Sequence, residues 1–501
     1  MKEHAITGTR VEAARISGPM PTHKTKLVCT IGPASQSQAV MEKMILAGMN
    51  VARLNFSHGD YEGHQEVIRN LRAAERAAGR RIAIMADLPG PKMRIGALRR
   101  EPITLKPGSR FVLAADDSVG DETGVSTTFR GLSQAVRPGD QLFLNDGLIQ
   151  LEVTQIVGNA VHCSVIVGGE LRSRKGLNLP GIDLGISAFT EHDYDCLKFS
   201  LENGVDAVSQ SFVQRAEDIE AVRRAATGLG YNPFIIAKIE RSRALDSIAA
   251  IIDAADGIMI ARGDLGVELP IEQMAIIQKR VMRLANMRAR PVITATQMLE
   301  SMVSSRRPTR AEATDVANAI LDGTDCVMLS SESAMGCYPI EAVATLARIA
   351  EATEPFRAVV GPKEMFKDID LRDRVPAERM IDLAVENVLE YTSRAIVFVP
   401  TLTGVTARSI ARCRLPVWII AVSTEEPACQ HLQFSSGVYA CCEPEMPRQW
   451  RSYARDWVQA RGMEADFAVL TQGRSTADPE ANYRMEIVEL RGNTLDSKKR
   501  E

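Results

Sequence analysis

Phe234-Ile235-Ile236-Ala237-Lys238-Ile239-Glu240 and, one helix-length later, Gly257-Ile258-Met259-Ile260-Ala261-Arg262-Gly263-Asp264 decide the fold. Each is an apolar run that breaks into charged residues at its end. That is how a strand buried on both faces reads when its tip opens on a polar site. The same texture recurs at Lys26–Ile31, Asn50–Phe56, Ile82–Ala86, Val205–Ser209, Pro291–Ala295 and Cys326–Leu329. Amphipathic stretches lie between most of them: Ser37–Ala47, His64–Ala78, Asp193–Glu202, Ala216–Gly228, Ile271–Asn286 and Arg310–Leu321. An open doubly wound sheet would give a similar string. Eight strand/helix units with polar residues at the run ends favour a (β/α)8 TIM barrel of α/β class.

Between the third and fourth runs the rhythm breaks. Pro107-Gly108, Pro138-Gly139 and Gly168-Gly169 punctuate short alternating runs such as Phe111–Ala114, Gln141–Leu144 and Val161–Val167. This reads as a small all-β domain inserted in a barrel loop, where it would cover the site as a lid. Further on, a helix over Glu378–Tyr391, a strand over Ala395–Val399, a helix over Val405–Arg412 and strands at Val417–Val422, Val438–Cys441, Phe467–Leu470 and Ile487–Leu490 predict a C-terminal three-layer α/β domain. The expected division is a flexible tail over 1–22, the barrel over 23–95 and 188–357, a β-barrel lid over 96–187, and an α/β domain of regulatory type over 358–501.

Hydrophobic residues make up 45% and charged residues 25% of the 501, the balance of a globular enzyme rather than a disordered chain. The formal charge of −3 offers no basic field for nucleic acid or an anionic membrane. No apolar run approaches the ~20 residues of a membrane span, and the first residues lack the apolar core of a secretory signal. Nine cysteines without a C-x-x-C pair read as reduced thiols in the cytoplasm. Seven histidines without H-E-x-x-H argue against a histidine zinc site. The absence of any Gly-Lys dipeptide excludes a Walker A loop, and the absence of G-x-G-x-x-G weakens a dinucleotide fold.

Reactive groups of such a barrel sit where strands end. In Val51-Ala52-Arg53-Leu54-Asn55-Phe56-Ser57-His58, alternation puts Arg53, Asn55 and Ser57 on one face, an arrangement suited to an anion. Lys238 and Glu240 share a face likewise. Glu240 and Asp264, at neighbouring strand ends, suit a hard divalent cation such as Mg²⁺, and Lys238 beside them would stabilise charge developing on phosphoryl or enolate oxygens. A Lys–Glu salt bridge is the plain alternative for the triplet alone; Asp264 at the next strand end tips the reading towards function. Thr296, ending the seventh run, is either a proton donor or relay or a helix cap, and taken alone the cap is favoured. The basic stretch Arg306–Arg310 reads as a solvated face.

Longer blocks then spell out a family. Thr25–Ser35 (TKLVCTIGPAS), Gly48–Gly59 (GMNVARLNFSHG), Ala261–Pro270 (ARGDLGVELP), Ala295–Met302 (ATQMLESM) and Pro308–Met328 (PTRAEATDVANAILDGTDCVM) closely resemble pyruvate kinases, as do Asn145–Leu148 (NDGL) and Lys175–Gly181 (KGLNLPG). The resemblance runs from about Lys24 to Ala350 and is looser beyond. It implies transfer of a phosphoryl group from phosphoenolpyruvate to ADP, then protonation of the enolate to pyruvate, with ATP as co-product. It implies that Arg53 holds the phosphate, Lys238 stabilises the transition state, and Glu240 and Asp264 bind Mg²⁺. It puts the Gly263 backbone and Thr296 at the substrate carboxylate and near the methylene carbon, and Asn55, Phe56, Ser57, His58, Arg94 and Lys175 around the nucleotide phosphates. A homotetramer in the cytoplasm is the usual assembly of the family.

Two departures matter. Much of the family has Asp-Thr-Lys-Gly-Pro-Glu where this chain has Asp87-Leu88-Pro89-Gly90-Pro91-Lys92. There a monovalent cation, usually K⁺, would be held by Asn55, Ser57, Asp87 and the Leu88 carbonyl. The Lys92 ammonium can fill its electrostatic role, so K⁺ is expected not to be required; the alternative is a solvent-facing Lys92 and a retained K⁺ site. Ser331 and Ser333 replace the family's Gly and Thr around Glu332, which predicts a local packing difference only. In the C-terminal domain, Thr401, Thr403, Gly404 and Thr406 follow a strand and open a helix, a weak cradle for a phosphorylated effector. Two other readings compete with a kinase: a Mg²⁺-dependent lyase or aldolase of the phosphoenolpyruvate/pyruvate barrels, and a catalytically silent metabolite sensor.

Overall fold

The computed structural model describes residues 20–358, 377–390, 392, 394–473 and 482–490. The eight apolar runs become strands Lys26–Thr30, Met49–Asn55, Ala83–Leu88, Ala207–Gln210, Phe234–Ile239, Gly257–Ala261, Val292–Ala295 and Cys326–Leu329. They close into a parallel barrel in which each pairs with the next and the eighth with the first. Strand alternation sorts their side chains into two layers. Val51, Met85, Ile236, Met259, Ile293 and Met328 fill the interior. Leu54, Ile84, Ala237, Ile239, Ile258 and Val327 pack outward against the helices. Two residues further along the inward register of Val51, Met85 and Ile236 stand Arg53, Asp87 and Lys238, so three charges share one mouth.

The helices begin where local chemistry allows. Thr190 and Thr309 each accept from the backbone N–H three residues on, with Asp193 and Glu312 closing capping boxes that start Glu191–Glu202 and Arg310–Leu321.

Strand alternation also builds the insertion, where Phe111, Leu113, Val161, Cys163 and Val165 face one core. Its strands form a six-stranded sheet and a two-stranded ribbon. The segment entering the lid bridges the edges of the larger sheet. Ile95 pairs with Thr127 on one side and Arg94 with Gly176 on the other, so closure runs through single bridges rather than a regular ladder.

The C-terminal domain is a five-stranded sheet with order Val438–Cys442, Ile419–Ser423, Ala395–Pro400, Phe467–Gln472, Arg484–Glu489, the last strand antiparallel. Separate apolar clusters on its two faces make three layers. This domain does something that periodicity does not announce: it plugs the barrel. Phe434, fully buried, joins the interior cluster and stacks on Phe234 with ring centroids 5.2 Å apart. Most of the expected tail lies outside the described residues. Where the chain becomes described, Met20 packs on the C-terminal domain, and the Lys24 and Thr25 N–H groups donate to Glu354.

Phe434→Ala would leave a cavity under the barrel, costing about 3–5 kcal/mol by the usual scale for a buried aromatic. A lowered urea midpoint for barrel unfolding is the expected result, and an unchanged midpoint would show that the base is sealed by other groups.

Candidate active site

Asp87 ends the third strand and is 1% exposed. Its Oδ2 accepts from Arg53 Nε at 2.8 Å and again from Arg53 Nη2. Its Oδ1 lies 3.0 Å from Lys238 Nζ and accepts from Ser209 Oγ at 2.9 Å. Lys238 in turn lies 2.7 Å from Glu240 Oε1 and donates to Ser211 Oγ at 2.6 Å. Glu240 Oε2 accepts from the Phe212 N–H at 3.0 Å, and Arg53 Nη1 donates to Thr30 Oγ1 at 2.9 Å. Five barrel strands thus feed one connected network.

Burial alone would raise the Asp87 carboxyl; Lys238 and Arg53 outweigh it and hold its pKa at about 2. Burial alone would favour a neutral Lys238; Asp87 and Glu240 outweigh it and hold the ammonium above the ordinary lysine value. For Glu240 burial wins. Its carboxyl is raised despite Lys238, and the charge of Asp264 pushes it further the same way. Asp264 stands exposed in the first turn of helix Arg262–Glu268.

Two carboxylates that repel across a mouth are the oxygen donor set that a hard divalent cation neutralises. No group of three or more His, Cys, Asp or Glu suited to a metal occurs among the described residues. A pair suits an ion such as Mg²⁺, which keeps coordination positions for substrate and water. Glu240 and Asp264 fit it.

Thr296 has φ +70° and Gln297 φ +53°, a left-handed conformation that costs a β-branched residue of order 1–3 kcal/mol. The surroundings enforce it. Arg262, paired to Asp315 at 2.7 Å, donates to the Ala295 and Thr296 carbonyls at 3.2 and 2.8 Å. Glu332, fully buried, accepts from the N–H groups of Leu299 and Ser330 at 3.0 and 2.7 Å. So held, Thr296 is no helix cap: its Oγ1 accepts from Gly263 N–H at 2.7 Å and donates to the Ala295 carbonyl at 2.7 Å. Ser333 Oγ donates to the Thr30 carbonyl at 2.8 Å, tying the first and eighth strand ends.

The remaining predicted residues gather on the lid side. Asn55 Oδ1 accepts from Ser57 N–H at 3.2 Å, and buried Phe56 stacks on His64 with centroids 4.2 Å apart. His58 is exposed; partial burial, then the charges of Lys92, Arg94 and Arg53, lower its pKa. Arg94 and Lys175 stand beside each other on the paired segments joining barrel and lid, where Ile95 N–H donates to the Lys175 carbonyl at 2.9 Å. The Leu88 carbonyl accepts from Ser211 Oγ at 2.7 Å. Lys92 is exposed and has no ion-pair partner among the described residues. In the C-terminal loop, Thr401 Oγ1 accepts from Gly404 N–H at 2.9 Å, and Thr403 and Thr406 are exposed.

Comparison with known proteins matches this architecture domain by domain. Residues 22–343 match the model of the pyruvate kinase barrel domain, and residues 378–487 that of the pyruvate kinase alpha/beta domain. The chain belongs to the pyruvate kinase family. Pyruvate kinase from Thermococcus litoralis is 43% identical over 477 residues, covering 94% of this chain and 99% of that protein. The Geobacillus stearothermophilus enzyme is 42% identical over 471 residues, covering 93% and 80%. A crystal structure of a pyruvate kinase from Cryptosporidium parvum superposes with a TM-score of 0.88 at 32% identity, covering 95% and 99% of the two chains.

Against that family background, Ser209 and Ser211 are the groups that sequence reasoning passed over. Both lie at the tip of the fourth strand, Ser209-Gln210-Ser211, which carries the same inward alternation as the other tips. Asp87, expected beside a monovalent ion, is also the carboxylate shared by both cations.

Asp87→Asn would leave Lys238 and Arg53 buried without their common counter-charge, costing about 3–5 kcal/mol. Because the folded pKa lies below the unfolded one, this stabilisation is present above about pH 4 and lost as pH falls towards 2. The difference in unfolding free energy between wild type and variant should therefore shrink across that window. A pH-independent difference would contradict the assignment.

Proposed function

We propose that this mouth transfers the phosphoryl group of phosphoenolpyruvate to ADP and protonates the resulting enolate to pyruvate, with Mg²⁺ held by Glu240 and Asp264. The observation that carries the reading is the pairing of Arg53 and Lys238 through Asp87, with Glu240 2.7 Å from the Lys238 ammonium. Phosphoryl transfer asks a protein mainly for positioning and charge neutralisation. Arg53 offers N–H donors to phosphoryl oxygens. Lys238, held as ammonium by two carboxylates, offers a fixed positive charge and is a poor proton donor. When bound, Mg²⁺ supplies a further positive charge to the phosphoryl and enolate oxygens. The proton for the methylene carbon is then assigned to a relay through the Thr296 hydroxyl, which bridges Gly263 N–H and the Ala295 carbonyl. The hydroxyl gives its proton to the carbon and takes one from solvent water, leaving hydroxide to the bulk buffer. Asn55, Phe56, Ser57, His58, Arg94 and Lys175 line the ADP side, and the domain at 96–187 closes over it to keep water from the phosphoryl group.

We assign the monovalent-ion role to Lys92. Two of the groups that would hold K⁺ are already engaged, Asp87 by two cations and Ser209, and the Leu88 carbonyl by Ser211. Lys92 meanwhile brings a free charge to the neighbourhood of His58. The proposal extends to a homotetramer, as the family suggests, and to a phosphorylated effector at Thr401, Thr403, Gly404 and Thr406. A cytoplasmic setting fits nine unbridged cysteines and, among the described residues, no helix long and apolar enough to cross a membrane.

Pyruvate should form from phosphoenolpyruvate and ADP with Mg²⁺. Lys238→Met should lower kcat about 10²–10³-fold, the scale for losing one strong electrostatic donor, while Mg²⁺ still binds. Near-normal turnover would remove Lys238 from its role. In buffer free of potassium and sodium the wild type should run at full rate, and a large stimulation by added K⁺ would refute the assignment of Lys92.

A further inference from the structure

Arg241 directly follows Glu240 and is 1% exposed. Its guanidinium turns away from the network at the mouth. Nη2 donates to the carbonyls of Leu179 at 2.8 Å and Ile182 at 3.3 Å, in the segment returning from the lid. Nη1 lies 3.0 Å from Glu268 Oε1. Glu268 ends the helix whose first turn carries Gly263 and Asp264. Its Oε2 accepts from Ser242 N–H and Oγ at 3.2 and 3.0 Å. The lid meets that helix again at Gly147, φ +88°, where a Cβ would stand 3.3 Å from Val267. Burial opposes the ion pair from both ends, lowering the pKa of Arg241 and raising that of Glu268. A buried pair of this kind adds little net stability over apolar groups of the same size, so geometry is the better reason for it.

We propose that Arg241 is a positioning residue that sets the lid's pivot: one guanidinium holds the returning segment and, through Glu268, the helix of Asp264, in register with Glu240. This rests on the phosphoryl-transfer reading above. The phosphoenolpyruvate side does not depend on the clamp, because Arg53 and Lys238 are anchored by Asp87 and the first turn of the Asp264 helix is pinned separately by Arg262 to Asp315 and by Gly263 N–H to Thr296; the ADP side, which Lys175 reaches from the lid, does.

Full-length Arg241→Met, Glu268→Gln and Arg241→Lys are compared with wild type by hydrogen-exchange mass spectrometry without substrates and by steady-state kinetics. In the first two, protection of residues 176–187 falls while the barrel strands keep theirs. The KM for ADP rises about tenfold or more, as expected for a misplaced substrate-holding group, and that for phosphoenolpyruvate stays within about twofold. Arg241→Lys recovers part of both effects. Should Arg241→Met fail to fold, Glu268→Gln carries the test alone. Wild-type protection of 176–187, or a fall in kcat with both KM values unchanged, overturns the proposal. The exchange readout needs no turnover, so an inactive wild type would sink the functional reading while the clamp is still judged.

Discussion

One carboxylate, Asp87, holds two cations that would otherwise repel each other inside a low-dielectric mouth. Everything chemical at this site depends on that sharing. Without it, only Glu240 would oppose the desolvation that pushes Lys238 towards the neutral amine. Ser209 and Ser211 complete the arrangement by satisfying Asp87 and Lys238 without adding charge. The cluster is an unfavourable way to stabilise a fold, since buried ion pairs roughly break even against apolar side chains at best. On the proposed function its value lies in preorganisation: two positive charges already oriented before a phosphoryl group arrives.

Much of this was legible because both periodicities in the chain are simple. Runs buried on both faces, separated by amphipathic stretches, leave few architectures beyond a barrel, and the predicted barrel strands fall within a residue or two of the observed ones, whereas the last strand, expected at Ile487–Leu490, begins at Arg484. Arg53, Lys238 and Glu240 could be aimed inward from alternation alone, since Val51 and Ile236 fix the interior face. The role of Thr296 was not legible locally. A threonine after a strand most often caps a helix, and only distant residues, Arg262 and Glu332, force the left-handed backbone that turns its hydroxyl to Gly263. Phe434 escaped for the same reason: a short apolar segment carries no sign of which cavity it fills.

The barrel is therefore constrained from both ends by regions outside it. At the base, a residue from the C-terminal domain completes the interior packing, so the strands cannot shift without disturbing Phe234 against Phe434. At the mouth, the insertion leaves after the third strand, beside Asp87, and returns along Leu179–Ile182 beside Arg241. Entry and return therefore flank two groups that matter chemically, Asp87 and Glu240. An insertion at any other βα loop would not flank both.

That placement also gives a physical reason for the altered segment Leu88–Lys92. It is the stretch of chain that leads from Asp87 to the inserted domain, so any charge on it sits between the cluster and that domain. If that domain opens and closes as proposed, a diffusible cation there would have to be recaptured each time. On the proposed reading a tethered ammonium remains, adding one positive charge beside His58, whose pKa is lowered first by burial and then by Lys92, Arg94 and Arg53. On that reading an anionic substrate with several phosphate oxygens would relieve this repulsion on binding, and so would couple occupancy of the mouth to closure above it.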